Sequence, residues 1–231
     1  MLVVLNNRYG LPNITQMKYI NKDEMTSMAP RYRAQIINSL SGFKSANLIG
    51  TSSQSSTHNL AMFSSVFHLG ASPALVGFIS RPDSVDRHTL KNIKLTQQYT
   101  INQVSESFWQ AAHQTSARYD DEECEFKQTG LTAELIAGID APFVKESQLK
   151  YALALKSIVP ITLNNTVLVI GEITDILCQK SAIKDDGYID IESLNTVMVS
   201  GLDSYHTSKR LSRLSYAKPG VLPKSIPLNG E

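Results

Sequence analysis

The densest group of side chains able to hold a ligand begins at Asn59 and reads Asn59-Leu60-Ala61-Met62-Phe63-Ser64-Ser65-Val66-Phe67-His68-Leu69-Gly70. A strand is expected over Asn59 to Phe67, and a strand ordinarily alternates apolar and polar residues to serve core and water. Ser64 and Ser65 instead place small hydroxyls on both faces, leaving room for a flat ligand to lie against backbone groups. A second strand, Ala74-Leu75-Val76-Gly77-Phe78-Ile79, runs into Ser80-Arg81-Pro82. Thr89 then caps a short helix that buries Leu90 and Ile93. A helix start offers unpaired N–H groups and the positive end of a dipole, and an arginine fork beside it can take a phosphate bidentately. Together these residues suit a flat polar heterocycle with a terminal phosphate. They would equally make an ordinary strand–loop–helix corner with a surface arginine.

Other chemistries lack their residues. There is no GxGxxG, no GxxxxGK[ST] and no GxSxG. Cys124 and Cys178 stand 54 positions apart without a CxxC, and the five histidines show no zinc spacing. The acidic run Asp120-Asp121-Glu122-Glu123 reads as a solvated loop, because four adjacent carboxylates repel one another. Trp109 reads as a packing residue.

The elements that must position the group are mostly strands. Ala46 to Thr51, Tyr99 to Val104 and Thr166 to Ile170 are apolar runs. Leu149, Tyr151, Leu153, Leu155 and Val159 fall on the two-residue period, and Asn164-Asn165 marks a hairpin turn. Ile189–Ile191 and Thr196–Val199 are shorter candidates. A helix is expected through Phe108, Ala111, Ala112 and Thr115, capped by Ser105 or Ser107. Residues 1 to about 33 read as an aperiodic lead-in broken by Pro12 and Pro30. Pro219, Pro223 and Pro227 make the end an extended arm on the surface or on a partner subunit. With 231 residues, 42% hydrophobic and 19% charged, the chain is expected to fold as one domain, a β-barrel with helical crossovers. Lys plus Arg, at 22, nearly balance Asp plus Glu, at 21, so no basic field argues for nucleic acid or an anionic membrane. The apolar start Met1–Leu5 is too short for a signal segment, and a cytoplasmic location is expected.

Asn59-Leu-Ala-Met-Phe-Ser-Ser, Pro73-x-x-Val76-Gly77-Phe78 with Arg81, Thr89-x-x-Asn92-Ile93, Tyr99-Thr100-Ile101-Asn102 and Ser215-Tyr216-Ala217-Lys218-Pro219 resemble, in this order, the flavin reductase-like, FMN-binding split-barrel family. The likeness is to its flavoredoxin-type members and covers roughly residues 35 to 219. It departs at Met62, where Pro is commoner, and at His206, where an aromatic is usual. The resemblance implies a mainly β, antiparallel split barrel with a few crossover helices, forming a homodimer with FMN near the subunit interface. Asn59, Ala61, Ser64 and Ser65 would lie against the isoalloxazine and ribityl chain, with Phe67 nearby. Arg81 and Thr89 would hold the phosphate, with Asn92 a weaker candidate. Lys44, Asn47 and Thr51 are looser matches for which a structural role stands equally open. The implied activity is hydride transfer from NAD(P)H to flavin N5 and onward to an unidentified acceptor. The alternatives are a flavin carrier without turnover and a partner-binding barrel that has lost its cofactor.

Overall fold

The sheet is laid out by residues that begin two helices earlier than expected. In the computed structural model, which describes residues 17–81, 88–120 and 123–230, α1 (Lys22–Ser27) opens on Asn21, whose side chain accepts the Glu24 N–H at 2.8 Å. α2 (Pro30–Ser39) starts on Pro30, where the missing N–H costs nothing. Pro30 therefore starts a helix where a breaker was expected, and the lead-in is not featureless. Met1–Leu5, Pro12, Pro82 and part of the acidic run lie outside the described residues.

The strands follow as β1 (Lys44–Ser45), β2 (Asn47–Ser52), β3 (His58–Phe63), β4 (Phe67–Ala71) and β5 (Ala74–Ser80). Next come α3 (His88–Thr96), β6 (Gln98–Gln103), α4 (Trp109–Gln114), α5 (Glu125–Thr129), β7 (Ala133–Ile136) and β8 (Ile139–Val144). The long hairpin β9 (Leu149–Ile161) and β10 (Thr166–Cys178) precedes β11 (Met198–Ser200), β12 (Ser204–His206), β13 (Arg213–Leu214) and β14 (Ser225–Ile226). The hairpin turns where Asn164-Asn165 stands: Asn165 takes φ 58°, and Asn164 Oδ1 accepts the Thr166 N–H and hydroxyl at 3.2 and 2.8 Å.

Three expectations need correction. The strand from Asn59 stops at Phe63, and Ser64 to Val66 form a bend before β4. The helix α4 starts after Phe108 without a side-chain cap, because Ser105 and Ser107 bond each other at 2.8 Å. Ile189 makes only an isolated bridge to Ile183.

Seven antiparallel strands form one sheet in the order β3-β2-β6-β9-β10-β5-β4. Ile49, Val76, Phe78, Tyr99, Ile101, Leu153 and Val169, from five of its strands, meet Leu90 and Ile93 of α3 in a single cluster. One cluster fed from both ends of an open sheet requires the sheet to curl, with α3 filling the curl: an antiparallel split barrel. A second cluster on the outer face joins Leu48 and Leu60 to Phe108, Ala112 and Phe126 of the α4–α5 region. The C-terminal arm is tied back by Arg210, which pairs with Asp190 and with Glu192 at 3.3 Å, and by Arg213, 2.5 Å from Asp186.

β8 closes on the sheet so tightly that a Cβ at Gly50 would overlap the Pro142 carbonyl oxygen and Thr100 Oγ1, which are themselves bonded at 2.6 Å. A backbone oxygen cannot swing aside. Gly50→Ala is expected to cost about 1–3 kcal/mol of unfolding free energy, the usual range for overpacking, read as a lowered urea midpoint at unchanged slope.

Candidate functional site

Where β2, β3 and α3 meet, the barrel wall turns polar. The register sets Thr51 opposite Asn59, Ile49 opposite Ala61 and Asn47 opposite Phe63, so these six share one face. Thr89, in the first turn of α3, reaches Asn59 at 3.1 Å, and Asn92 one turn on donates to Thr51 Oγ1 at 3.1 Å. Thr51, Asn59, Thr89 and Asn92 are all buried. Thr89 thus lies inside the helix rather than at its cap.

A fifth member comes from the other side of β3. Glu125, at the first position of α5, is buried and accepts the Leu60 N–H with Oε2 at 2.9 Å. β3 is a sheet edge, so this N–H has no strand to donate to. Glu125 Oε1 lies 3.2 Å from the Asn59 amide. Burial pushes the Glu125 carboxyl above the ordinary carboxylate value, opposed by the Leu60 N–H, by its own N–H and by nearby His88. Nothing in the sequence singles Glu125 out, since an acid at a helix start ordinarily answers the helix dipole.

The second half of the site gathers at the end of β5. β4 pairs with β5 from Phe67 opposite Gly77. Two residues further along each strand, Ser65 donates its hydroxyl to the Ile79 carbonyl at 3.0 Å and accepts the Ile79 N–H at 3.2 Å. Its one side chain stands in for a ladder pair. Arg81 follows two residues later, exposed and without an ion pair or hydrogen bond to its side chain among the described residues. Ser65 and Arg81 therefore lie at the end of β5, with Phe67 opposite its middle at Gly77; the Ser64 hydroxyl is likewise unbonded among the described residues. Phe63 leads into this bend and packs edge-on against Phe78 at 5.0 Å.

Of the looser candidates, Thr51 belongs to the first group, while Lys44 and Asn47 are bonded elsewhere. Lys44 spends its ammonium on the Asn38 and Gly201 carbonyls, both at 3.0 Å, and Asn47 donates to Ser45 Oγ at 2.8 Å. Met62 points to the outer face and packs on the cluster with Leu48 and Leu60. His206 lies in the small β1-β11-β12 sheet, edge-on to Phe43 at 4.9 Å.

A cavity of about 430 Å³ opens beside the polar group, with Asn59, His88, Lys91 and Asn92 in its wall. A larger one, about 670 Å³, lies across the 53–57 loop and is lined by His58 and residues 135–140. There Ser52 Oγ donates to the Asp140 carbonyl at 2.8 Å. It must then accept from His58 Nδ1 at 3.1 Å, which fixes that proton on Nδ1. Ser52 is committed and is no nucleophile. Among the described residues no group of three or more His, Cys, Asp or Glu is placed to hold a metal, and no helix is long and apolar enough to cross a membrane.

The antiparallel split barrel is the fold shared with the solved structures that this chain resembles. The chain belongs to the flavin reductase-like family, whose domain matches residues 40–192. Among solved structures it is similar to a protein of Shewanella frigidimarina NCIMB 400 described as a flavin reductase with split barrel domain. The two are 50% identical, with a TM-score of 0.84, over 87% of this chain and 100% of that one. Flavoredoxin of Desulfovibrio vulgaris (Miyazaki F) shares the fold at 22% identity and TM-score 0.63, over 78% of this chain and 92% of its own. A curated relative from Aquifex aeolicus (strain VF5) is 28% identical over 115 residues, 49% of this chain; the match spans 59% of the relative's length.

The buried carboxyl of Glu125 makes stability depend on pH in a definite direction. Its folded pKa is raised, so the unfolded chain releases the proton first, and stability falls as pH climbs from the ordinary carboxylate value through the raised one. Glu125→Gln keeps an acceptor for Leu60 and removes the titration. Its unfolding free energy relative to wild type is expected to rise across that window and then level off in urea melts between about pH 4 and about pH 8; a flat difference would contradict the assigned environment.

Proposed function

We propose that this chain is an FMN-binding oxidoreductase of the flavin reductase type, taking reducing equivalents from NAD(P)H and passing them to an acceptor. Two anchors, each observed separately, support this. The Thr89 hydroxyl, at the start of the nine-residue helix α3, is buried among polar partners. The Arg81 guanidinium, at the strand end that Ser65 clamps, has no protein partner among the described residues.

The donor set fits a phosphorylated flavin. Arg81 supplies full charge and a planar fork, and Thr89 with the first turn of α3 supplies neutral donors for a phosphate. Ser64 offers a hydroxyl without a partner among the described residues, and Ala61 on the Asn59 face gives a small apolar surface. Phe67, 41% exposed opposite the middle of β5, offers an aromatic surface. Asn59 and Asn92 fix Thr89 and α3 from behind. When bound, the flavin supplies the redox chemistry, accepting a hydride at N5 from a nicotinamide and releasing electrons singly or in pairs. The chain's own work is to bind, to orient and to leave one side accessible. Tyr99 and Tyr151 inside the barrel are held above the ordinary tyrosine value by burial, so neither exchanges protons near neutrality.

A homodimer in the cytoplasm belongs to the same proposal. Leu211, Leu214, Tyr216, Val221 and Leu222 of the C-terminal arm are all largely exposed on the single chain, which suits an arm laid on a second copy.

Arg81→Ala is expected to weaken FMN by about 1–3 kcal/mol, the range for a charged hydrogen bond, or roughly five- to 150-fold in Kd. Riboflavin, which has no phosphate, should bind the variant and wild type alike in a fluorescence titration. Steady-state NAD(P)H oxidation with catalytic FMN or FAD tests the activity itself: turnover with FMN supports a reductase, and tight binding with negligible turnover makes the chain a carrier.

A further inference from the structure

The two cavities flank the loop between β2 and β3, and Ser53, Gln54 and His58 belong to the walls of both. The smaller follows one stripe of α3: His88, Lys91, Asn92 and Leu95 stand three and four positions apart and so face one way. The larger takes in Thr96, the last residue of α3, and then the tip of the β7–β8 hairpin. Together they run the length of a nine-residue helix, about 13 Å at about 1.5 Å per residue, and on to the hairpin. Volumes of about 430 and 670 Å³ are those of small-molecule sites. Arg81, Ser64, Phe67 and Thr89 line neither cavity, so the flavin reading leaves this groove without a ligand.

The loop at its centre is held in place. The Ser53 N–H donates to the Thr57 carbonyl at 2.9 Å, the Ser56 N–H to the Ser53 carbonyl at 3.0 Å, and the Thr57 N–H to Ser53 Oγ at 3.0 Å. A loop tied in this way presents its outward groups at little ordering cost. Those groups are unspent. Gln54 is exposed, and its amide has no partner among the described residues. His58 donates from Nδ1 to Ser52, which leaves Nε2 as an acceptor. Burial holds the ring below the ordinary histidine value, so it is uncharged near neutrality.

Charge is uneven along the groove. Lys91, exposed in the wall beside α3, has neither ion pair nor hydrogen bond among the described residues. Glu123, the carboxylate of that wall, is taken up by the Asp120 N–H and by Gln128 Nε2, both at 3.1 Å. At the hairpin end Leu135, Ile136 and Ile139 make an apolar surface, and Asp140 is the charged wall residue. The matching ligand is anionic at the α3 end and a neutral, flat, hydrogen-bonding base at the other. We infer that this groove is an adenylate subsite, in which Lys91 meets a phosphate, Gln54 pairs with the adenine edge and the base lies on the hairpin tip. A glutamine amide matches the amino group and ring nitrogen of adenine two for two, and His58 Nε2 adds an acceptor. The adenylate arrives as half of a dinucleotide, FAD or NAD(P)H. FAD is FMN extended by an adenylate through its phosphate, so a flavin phosphate at the first turn of α3 sets that extension at the mouth of the groove. This entry point rests on the phosphate reading given above.

Lys91→Ala and Ala137→Trp in the whole chain test the subsite; both positions are exposed, and the indole fills the hairpin end. Flavin affinities are read by fluorescence titration, and the nicotinamide dinucleotide by its KM at saturating FMN. Lys91→Ala is expected to weaken FAD, or to raise the KM for NADH or NADPH, about tenfold, the scale of one charged hydrogen bond. Ala137→Trp should weaken the same ligand, and FMN affinity should hold in both. A loss confined to FAD assigns the groove to the flavin's adenylate, and a loss confined to NAD(P)H assigns it to the hydride donor; either supports the subsite. Calorimetric titration of 5′-AMP onto the flavin-free chain needs no flavin reading. Its weakening in both variants, with FMN and riboflavin bound equally by wild type, removes the phosphate reading and keeps the subsite. If neither variant alters FAD, NAD(P)H or 5′-AMP, or if both weaken FMN as much as FAD, the adenylate subsite is overturned.

Discussion

A single hydroxyl group fixes the bend that links the two edge strands of this sheet. β3 and β4 are consecutive in the chain and lie at opposite ends of the strand order, so the bend of Ser64 to Val66 must carry the chain across the gap. Ser65 ends that crossing by donating to and accepting from the Ile79 backbone, at the position where the β4–β5 ladder would place its next pair. The bend is thereby anchored to β5, and β3 and β4 remain the two unpaired edges of the sheet. The same two bonds hold the Ser64–Val66 bend against the end of β5, two residues before Arg81. A residue without a hydroxyl could not satisfy both Ile79 groups, and a long polar one would fill the corner.

The other edge is treated differently. β3 presents its Leu60 N–H outward, and a buried carboxylate answers it where a further strand would be expected. Glu125 also touches Asn59, so edge protection and the polar cluster share one residue. Apolar side chains of the same size at Thr51, Asn59, Thr89 and Asn92 would pack the barrel wall against α3 at no desolvation cost. Four polar residues that satisfy one another fix the angular setting of α3 instead, since each bond fails if the helix rotates. The start of α3 is the part of the molecule with most to gain from that rigidity.

Much of the frame was legible because it rests on local signals. The two-residue period of Tyr151, Leu153 and Leu155, the Asn164-Asn165 turn and the apolar faces of Leu90 and Ile93 each act within a few positions, and the structure uses them. A register shift at Lys156 then breaks the period, so Ile158 joins the core cluster and Val159 is exposed. The strand expected to run through Ser64 and Ser65 stopped short for a reason that period cannot show. The serine needed at that point belongs to a contact with Ile79, fourteen residues on. The helices α1 and α2 were masked by Pro30, whose effect depends on whether it falls inside a helix or at its first position. Glu125 was invisible because burial of a carboxylate is a tertiary fact: its partners Asn59 and Leu60 are some sixty-five residues earlier in the chain.

Two departures from the family's usual wording, Met62 and His206, would be the natural signs of a barrel that has lost its flavin. Their positions remove that argument. Side chains alternate across a strand, so Met62 faces away from Asn59, Ala61 and Phe63 and packs beside Leu48 and Leu60 on the outer face. A proline there would lack the backbone N–H and fix φ without altering the surface on which Ala61 lies. His206 is held by Ser200 Oγ at 2.8 Å and by Phe43, in a three-stranded sheet separate from the barrel strands. Neither residue lies on the face carrying Asn59 and Ala61 or at the end of β5. Neither departure therefore touches Ser64, Arg81 or Thr89, the residues on which the proposed phosphate site rests.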